Sequence, residues 1–261
     1  MKAEYLQQLT WGLMGINVFF ALLLSFKKDF LRYISLIAPI LVFVFLFILW
    51  GNYGRPPLKT LGETRLWYAA LLPILSFVFG IRFKMKWLQQ FALAMAALFL
   101  LINGLHPEVY DKTLAPALQS YWFVPHVVVY IISYALIAAA FLVALKEFYA
   151  FYKMSALNEK HILRMDDILR IGFFFLSAGL VFGAFWAKEA WGHYWTWDPK
   201  ETWAFISWGF FLFYFHIRYW YPKKNELAVS LVLLSFIVML ICWFGLNYMA
   251  VGQSSVHTYS S

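Results

Sequence analysis

Eight apolar segments of membrane-spanning length recur along the 261-residue chain, and they constrain the fold more than any other feature. A helix needs about 20 apolar residues to cross the hydrocarbon layer of a bilayer. Within lipid, each segment must satisfy its own backbone N–H and C=O groups, which favours helices. The sequence therefore predicts an all-α, polytopic integral membrane protein with about eight transmembrane helices. The expected spans are 8–26, 33–50, 66–81, 87–104, 124–145, 170–187, 199–219 and 227–247.

The charge and cysteine content narrow the functional classes. Only 13% of the residues are charged, which is too few to cover a soluble domain of this size. A net charge of +8 would suggest nucleic acid as the partner of a soluble protein, but here the basic residues cluster in a few short loops. The single cysteine, Cys242, lies in an apolar segment and has no second cysteine to pair with. Any thiol redox chemistry would therefore need another protein.

The basic loops also predict an orientation in the membrane. They lie around residues 27–32, 82–86, 146–170 and 218–224, which are alternate connections between the apolar segments. The positive-inside rule places all four in the cytoplasm, and hence both termini and the 105–123 loop on the outer side. The first apolar segment lacks a small-residue cleavage site and is expected to be a retained helix. The 146–170 link is expected to extend the fifth helix and form a surface helix before the sixth.

An aromatic run between the sixth and seventh segments, residues 185–203, contains five Trp and one Tyr in 19 residues. Trp and Tyr gather at membrane interfaces, so each ring alone could belong to an interfacial belt. A belt does not account for the spacing of Trp191, Trp195 and Trp197 around a tight, glycine-containing loop. This spacing predicts a slab of rings wide enough to cover a flat aromatic ligand.

The second half of the aromatic run predicts the start of a helix. Asp198 is a favoured N-cap residue, and Pro199 suits the first helical position. Glu201 lies three residues after Asp198, which is the spacing of a capping box. The Asp-Pro-x-Glu sequence therefore has a structural explanation that needs no ligand.

The sequence Trp-Gly-x-Tyr-Trp-x-Trp-Asp-Pro-Lys-Glu-Thr-Trp at 191–203 resembles the tryptophan-rich signature, or WWD domain, of haem-handling proteins in cytochrome c maturation. Its Asp-Pro-Lys-Glu-Thr-Trp portion is similar to the CcsA/ResC branch of system II. The resemblance is strongest over 116–261, with the WWD segment at 186–203, and is faint before residue 116. It implies a single transmembrane domain over 1–261, in a cell inner (cytoplasmic) membrane or a thylakoid membrane.

The resemblance also implies a function. Such a chain binds haem b as its cargo and presents it to the Cys-x-x-Cys-His motif of an apocytochrome c for thioether attachment. It does so with a ResB/CcsB-type membrane subunit, as part of a holocytochrome c synthase, and no catalytic residue is assigned to this chain. Two alternatives stay open: a CcmC-like haem transporter with no role in bond formation, and an assembly subunit without a ligand.

Two of the six histidines match motifs that carry external haem ligands in the family. Haem iron takes one or two axial ligands, most commonly imidazole. By position alone His126 and His257 could be surface residues on the same side as the Trp run. Their surroundings, residues 118–127 and 256–259, are similar to the ligand motifs. The resemblance implies a haem held between these two histidines and walled by the residues Trp191, Trp195, Trp197 and Asp198.

His216 lies within the seventh expected span, 18 residues after Asp198 and therefore about 27 Å further along a helix. An ionisable side chain inside a span is a functional candidate, although this one is near enough to the edge to extend into the interface. Phe215-His216-x-Arg218 resembles the family's intramembrane histidine motif. The resemblance implies that His216 is one axial ligand of an inner-leaflet haem site and pairs with a histidine of the partner subunit.

The remaining polar candidates have structural explanations of equal or greater weight. Lys188 and Lys200 flank the aromatic run and could contact haem propionates or simply extend into the interface. Glu63 could contact a partner or be an ordinary loop carboxylate. The other three histidines are expected to have structural roles: His106, His161 and His193.

Overall fold

The structure is a computed structural model that describes residues 3–26, 28–58, 60–106 and 120–249. Every regular element in these ranges is a helix, and helices cover all eight expected spans, the second being divided between two helices at residues 35–36, which confirms the all-α prediction. Seven of these helical segments are long and apolar enough to cross a membrane. The helix over Pro199–Trp220 is long enough, but its Tyr, His and Arg side chains make it less apolar than the other seven.

The chain divides between residues 119 and 120 into two compact units. The expectation of a single transmembrane domain stays a prediction. In the first unit, α1 and α4 pack on α5, and α3 packs on α4. The described part of this unit contains the helices α1 (Ala3–Leu23, continued by a 3₁₀ turn), α2 (Asp29–Ile34), α3 (Ile37–Tyr53), α4 (Leu61–Arg82) and α5 (Trp87–Leu105).

The helix α4 begins five residues earlier than the sequence predicts. Thr60 and Glu63 form a capping box, in which the Thr60 hydroxyl accepts a hydrogen bond from Glu63 N at 3.1 Å. Glu63 is fully buried and forms a bidentate ion pair with Arg55, with distances of 2.9 and 3.0 Å. Glu63 is therefore neither a contact on an exposed loop nor an ordinary loop carboxylate, because it stabilises the start of α4.

In the described residues, the second unit contains four α-helices and a 3₁₀ helix (Gly245–Tyr248); α6 packs mainly on α7, α8 packs on α9, and α9 also packs on α6. The predicted extension of the fifth span is confirmed, but the predicted surface helix is not a separate element, because it forms the first turns of the helix that contains the sixth span. The fifth-span helix continues to Met154, and the next begins at Glu159, where the Asn158 side chain caps it. The helices are α6 (Phe123–Met154), α7 (Glu159–Trp191), α8 (Pro199–Trp220) and α9 (Asn225–Trp243).

Three glycines of α7 allow α6 to approach closely. A Cβ at Gly172 would lie 3.2 Å from the Ile137 side chain, and a Cβ at Gly179 would lie 3.1 Å from the Tyr130 ring. A Cβ at Gly183 would lie 2.8 Å from His126, closer than real Cβ atoms come to other atoms. Small residues at a helix interface let neighbouring helices approach closely in membrane proteins. This glycine stripe therefore lets α7 pack closely on the first four turns of α6, from His126 to Ile137.

Candidate functional site

His126 lies in the first turn of α6, and its imidazole packs against α7 at the same end of the second unit as the Trp run. Its Nδ1 is 2.9 Å from the carbonyl oxygen of Gly179. A carbonyl oxygen can only accept, so Nδ1 carries a proton and donates it. In the neutral ring, the unprotonated nitrogen is then Nε2, which is the nitrogen that can ligate a metal.

Aromatic rings surround His126. The Tyr130 ring lies edge-on to the imidazole at 4.7 Å between centroids, and the buried Trp186 ring lies at 5.3 Å. Trp191, the last residue of α7, packs on Trp186 at 4.9 Å. Rings on several sides fix the orientation of the imidazole, and Trp191 extends this surface toward the loop between α7 and α8.

The Trp-rich loop itself is short and covers residues 192–198. Gly192 ends α7 with a φ of +85°, a left-handed conformation that favours glycine. The Lys188 ammonium donates a hydrogen bond of 2.8 Å to the Gly192 carbonyl and lies over the Tyr194 ring at 5.4 Å. Lys188 therefore stabilises the carboxyl end of α7, which favours its structural interpretation over the propionate contact.

Glu201 holds the other end of this loop, and the predicted capping box at Asp198 is confirmed. The Glu201 carboxylate accepts hydrogen bonds from Thr196 N at 2.7 Å and from Asp198 N at 3.3 Å. Asp198 in turn accepts from Lys200 N at 2.8 Å. Asp198 and Glu201 are buried and stabilise the start of α8, so the structure explains Asp198 as a cap. Its assignment to haem binding stays a prediction.

We expect Glu201→Ala to release this loop. The substitution removes the acceptor of the Thr196 and Asp198 backbone bonds, and a lost cap costs about 1 kcal/mol. Chymotrypsin should then cleave the purified protein faster after Tyr194 and Trp197. Glu201→Gln keeps an acceptor oxygen and is expected to be cleaved at nearly the wild-type rate. Equal cleavage rates for Glu201→Ala and wild type would show that other contacts hold the loop.

The tryptophans do not form a single flat slab. Trp195 and Trp197 lie edge-on to each other, 5.7 Å apart with an interplanar angle of 85°, and both contact Phe205 of α8. Trp197 is 63% exposed and adopts a φ of +60°, which is rare outside glycine. Trp191 packs separately against Trp186. The rings therefore lie at different angles and do not form the single slab that the spacing predicts.

One donor in this loop has no acceptor in the described part of the chain. The indole nitrogen Nε1 of Trp195 is buried and has no hydrogen-bond partner there. Buried donors in proteins nearly always have a partner, so such an exception indicates a bond to something else. An acceptor group of a bound molecule, such as a propionate, would satisfy it.

His216 lies on α8 and is exposed. Its Nδ1 is 2.9 Å from the Leu212 carbonyl, one turn earlier, so the proton again resides on Nδ1 and the outward nitrogen is Nε2. Two residues later, Arg218 forms an ion pair of 2.7 Å with the buried Asp166 of α7. The ion pair fixes the end of the helix that carries His216.

The comparisons with known proteins decide the family. The model of the family described as "Cytochrome C assembly protein" matches residues 58–253. The chain belongs to this family. Its relatives include "Cytochrome c biogenesis protein CcsA" of Pelargonium hortorum, 31% identical over 83% of this chain and 82% of the relative. CcsA of Chlamydomonas reinhardtii is 31% identical over 96% of this chain and 73% of the relative. CcsA of Oryza sativa subsp. indica is 33% identical over 83% of this chain and 82% of the relative.

The fold of this CcsA-type biogenesis protein also matches a solved structure. The "Cytochrome c Heme Lyase CcmF" superposes with a TM-score of 0.65 at 16% identity, over 93% of this chain and 46% of that one. At this identity the likeness shows the fold alone, and the chain spans less than half of that protein. The family and the apolar helices together identify a multi-pass membrane protein and confirm the resemblance to CcsA.

The structure brings some of the predicted CcsA-type site residues together. His126 and Trp191 both pack on Trp186, while Trp195 and Trp197 pack on each other. His216 is far along α8 from the Asp198 cap, as expected. His257 lies outside the described residues, so its pairing with His126 stays a prediction. His193 is exposed in the loop, and His106 follows the end of α5.

Sequence reasoning missed the residues that position His126. Gly179 supplies the carbonyl that accepts from Nδ1, and Gly183 leaves the space that the ring occupies. The signal was available, because these two glycines are four residues apart on one face of an apolar helix, the small-xxx-small spacing of close helix contacts.

Proposed function

We propose that this chain is the haem-handling subunit of a system II cytochrome c synthase. It binds haem beneath the Trp-rich loop and presents it to the Cys-x-x-Cys-His motif of an apocytochrome c for thioether attachment. The observation that carries the proposal is the placement of His126. Its ring is fixed by Gly179 and Trp186 so that the nitrogen left without a proton, Nε2, is the one suited to ligate iron.

In this proposal the chain orients its cargo and contributes no catalytic group. His126 supplies one axial ligand and His257 the opposite one, while Trp191, Trp195 and Trp197 line the macrocycle. Holding haem in one orientation places its vinyl groups near the two cysteine thiols and raises their effective concentration. One histidine must then leave the iron so that the histidine of the apocytochrome can replace it.

His216 is proposed to ligate haem at an inner-leaflet site, together with a histidine of a ResB/CcsB-type subunit. Its exposure on α8 supports a ligand shared with another chain, because a buried histidine could not meet a partner. The positive-inside rule predicts that the hairpin between α6 and α7 lies in the cytoplasm and the Trp-rich loop on the outer side. Haem would then pass from the His216 site to the His126 site.

The test is co-expression with the partner subunit and an apocytochrome c reporter. We expect wild type to yield holocytochrome and to purify with a low-spin haem spectrum. His216→Ala should lower both by at least ~10-fold, since even outer-shell changes cost this much at metal sites. Added imidazole should restore the bound haem, because it can occupy the vacated ligand position.

His106→Ala is the matched control, since it removes an exposed histidine from the other unit, and it should leave both signals unchanged. Haem retention by His216→Ala would remove this residue from the proposal. Wild-type protein without any haem, alone and with its partner, would contradict the proposed function as a whole.

A further inference from the structure

We propose that His161 is an additional haem-iron ligand, at the opposite end of the second unit from the Trp-rich loop. It would take up ferric haem at the hairpin between α6 and α7, before the haem passes to His216. The direction of transfer rests on the function proposed above. The site itself rests on the contacts that His161 makes with Glu147.

A buried carboxylate holds the His161 ring in place. Nδ1 of His161 is 2.6 Å from Oε1 of Glu147, and the Glu147 side chain is only 2% exposed. The second carboxylate oxygen accepts from Asn158 N at 2.8 Å, so Glu147 is itself fixed by the chain. An ionised carboxylate can only accept, and Nδ1 therefore carries the proton.

The opposite ring nitrogen, Nε2, faces away from this carboxylate, and the His161 side chain is 22% exposed. In the described ranges, the one hydrogen bond of the ring is that to Glu147. A histidine that donates Nδ1–H to a carboxylate and presents Nε2 has the arrangement that orients histidine ligands in metal sites. The geometry thus matches an axial ligand better than a simple surface histidine.

The carboxylate distinguishes His161 from the other two candidate ligands. His126 and His216 both donate Nδ1–H to backbone carbonyls, of Gly179 and Leu212. A carboxylate is a stronger acceptor than a carbonyl, so it shifts more electron density onto the imidazole and makes Nε2 a stronger electron donor to a metal. A stronger donor favours Fe(III) over Fe(II), and the His161 site is therefore expected to prefer ferric haem more strongly than the other two.

Haem fits this position better than a bare metal ion does. The described residues contain no group of three or more His, Cys, Asp or Glu side chains that could hold a metal. Haem brings four nitrogen ligands of its own and needs a single imidazole from the protein. Two turns after Glu147 and on the same face of α6, the exposed side chain of Met154 offers an apolar contact to a macrocycle. Two exposed cations, Lys153 and Lys160, are available to the propionates.

The charged residues of the hairpin, within 146–170, favour placing this end of α6 and α7 outside the hydrocarbon layer. The helices α6 and α7 contain 32 and 33 residues, which corresponds to about 48–50 Å at about 1.5 Å per residue. The hydrocarbon layer is about 30 Å thick, so part of each helix must lie outside it. A ligand here can therefore meet haem at the water–lipid boundary, before any haem reaches an intramembrane site.

The experiment uses the full chain purified in detergent, with His126, His216 and His257 all replaced by Ala. Titration with ferric haem should give a saturable Soret shift at about one equivalent. Adding His161→Ala to this variant should lower the affinity by at least ~10-fold, as expected for the loss of a metal ligand. Adding His193→Ala instead, which removes an exposed histidine of the Trp-rich loop, should leave the titration unchanged.

A second variant separates ligand positioning from folding. Glu147→Gln keeps one acceptor oxygen for the Nδ1 hydrogen bond, but it carries no charge and loses the bond from Asn158 N. Ferric affinity should fall by about 10-fold, and ferrous affinity should change less, whereas a purely structural role for Glu147 would alter both equally. The proposal is overturned if the triple variant has no saturable haem site. It is also overturned if adding His161→Ala leaves the haem affinity of the triple variant unchanged. If the wild type itself binds no haem, the proposed function fails as well.

Discussion

Alanine at position 183 is expected to abolish the low-spin haem binding that we propose at the Trp-rich end of the second unit, although Gly183 is not itself a proposed ligand. An added Cβ would lie 2.8 Å from Cε1 and 2.9 Å from Nδ1 of His126, so the imidazole must move. Its hydrogen bond to the Gly179 carbonyl would break, and Nε2 would no longer point in its present direction. Overpacking of this kind costs about 1–3 kcal/mol, so the helices can remain folded while the ligand is displaced.

The measurement is the absorption spectrum of the purified protein, compared with that of His126→Ala. Both variants should lose the low-spin spectrum. Added imidazole should restore it in His126→Ala, where the ring is missing, but not in Gly183→Ala, where the displaced ring still occupies the space. This difference separates a missing ligand from a displaced one.

Gly209→Ala is the matched control for this substitution. Gly209 also lies inside a helix of the second unit, but an added Cβ there would meet nothing within 4 Å. Replacing a helical glycine by alanine generally stabilises the helix by roughly 1 kcal/mol, so this variant should fold well and keep its spectrum. An unchanged spectrum in Gly183→Ala would show that the position of the His126 ring does not control haem binding.

The helices and their ends could be predicted from the sequence because they depend on local properties. In lipid, an apolar run of about 20 residues forms a helix because the helix satisfies every backbone N–H and C=O within the segment. The start of α8 was predicted from Asp198, Pro199 and Glu201, since a cap involves only neighbouring residues. By contrast, the early start of α4 was missed, because Thr60 and Glu63 stand in a stretch that looks like a polar loop.

The environment of the candidate ligands could not be predicted, because it depends on which helices pack together. His126 and Gly179 are 53 residues apart, and nothing local to either indicates their hydrogen bond. The burial of Glu147 depends likewise on the antiparallel packing of α6 on α7. The spacing of the tryptophans predicts a shared loop but not the ring angles, which follow from the left-handed backbone at Trp197 and from contacts with α8.

A second large effect is expected at Asp166, which joins α7 to α8. Its carboxylate accepts a hydrogen bond from the Tyr214 hydroxyl and two bonds from Arg218, of 2.7 and 3.1 Å. Asp166 and Arg218 are 6% and 12% exposed. Removing one partner of a buried ion pair leaves the other charge uncompensated and typically costs 3–5 kcal/mol. Asp166→Ala should therefore lower the melting temperature in detergent by roughly 10 °C.

The adjacent Asp167 provides the control, because it differs from Asp166 mainly in burial. Asp167 pairs with Arg170 at 3.0 Å, but the two side chains are 50% and 66% exposed. Exposed ion pairs contribute about 0–1 kcal/mol, so Asp167→Ala should leave the melting temperature nearly unchanged. Similar melting curves for the two variants would mean that the Arg218 charge is compensated elsewhere. Because Arg218 is two residues from His216, Asp166→Ala should also weaken the haem site assigned to His216, and Asp167→Ala should not.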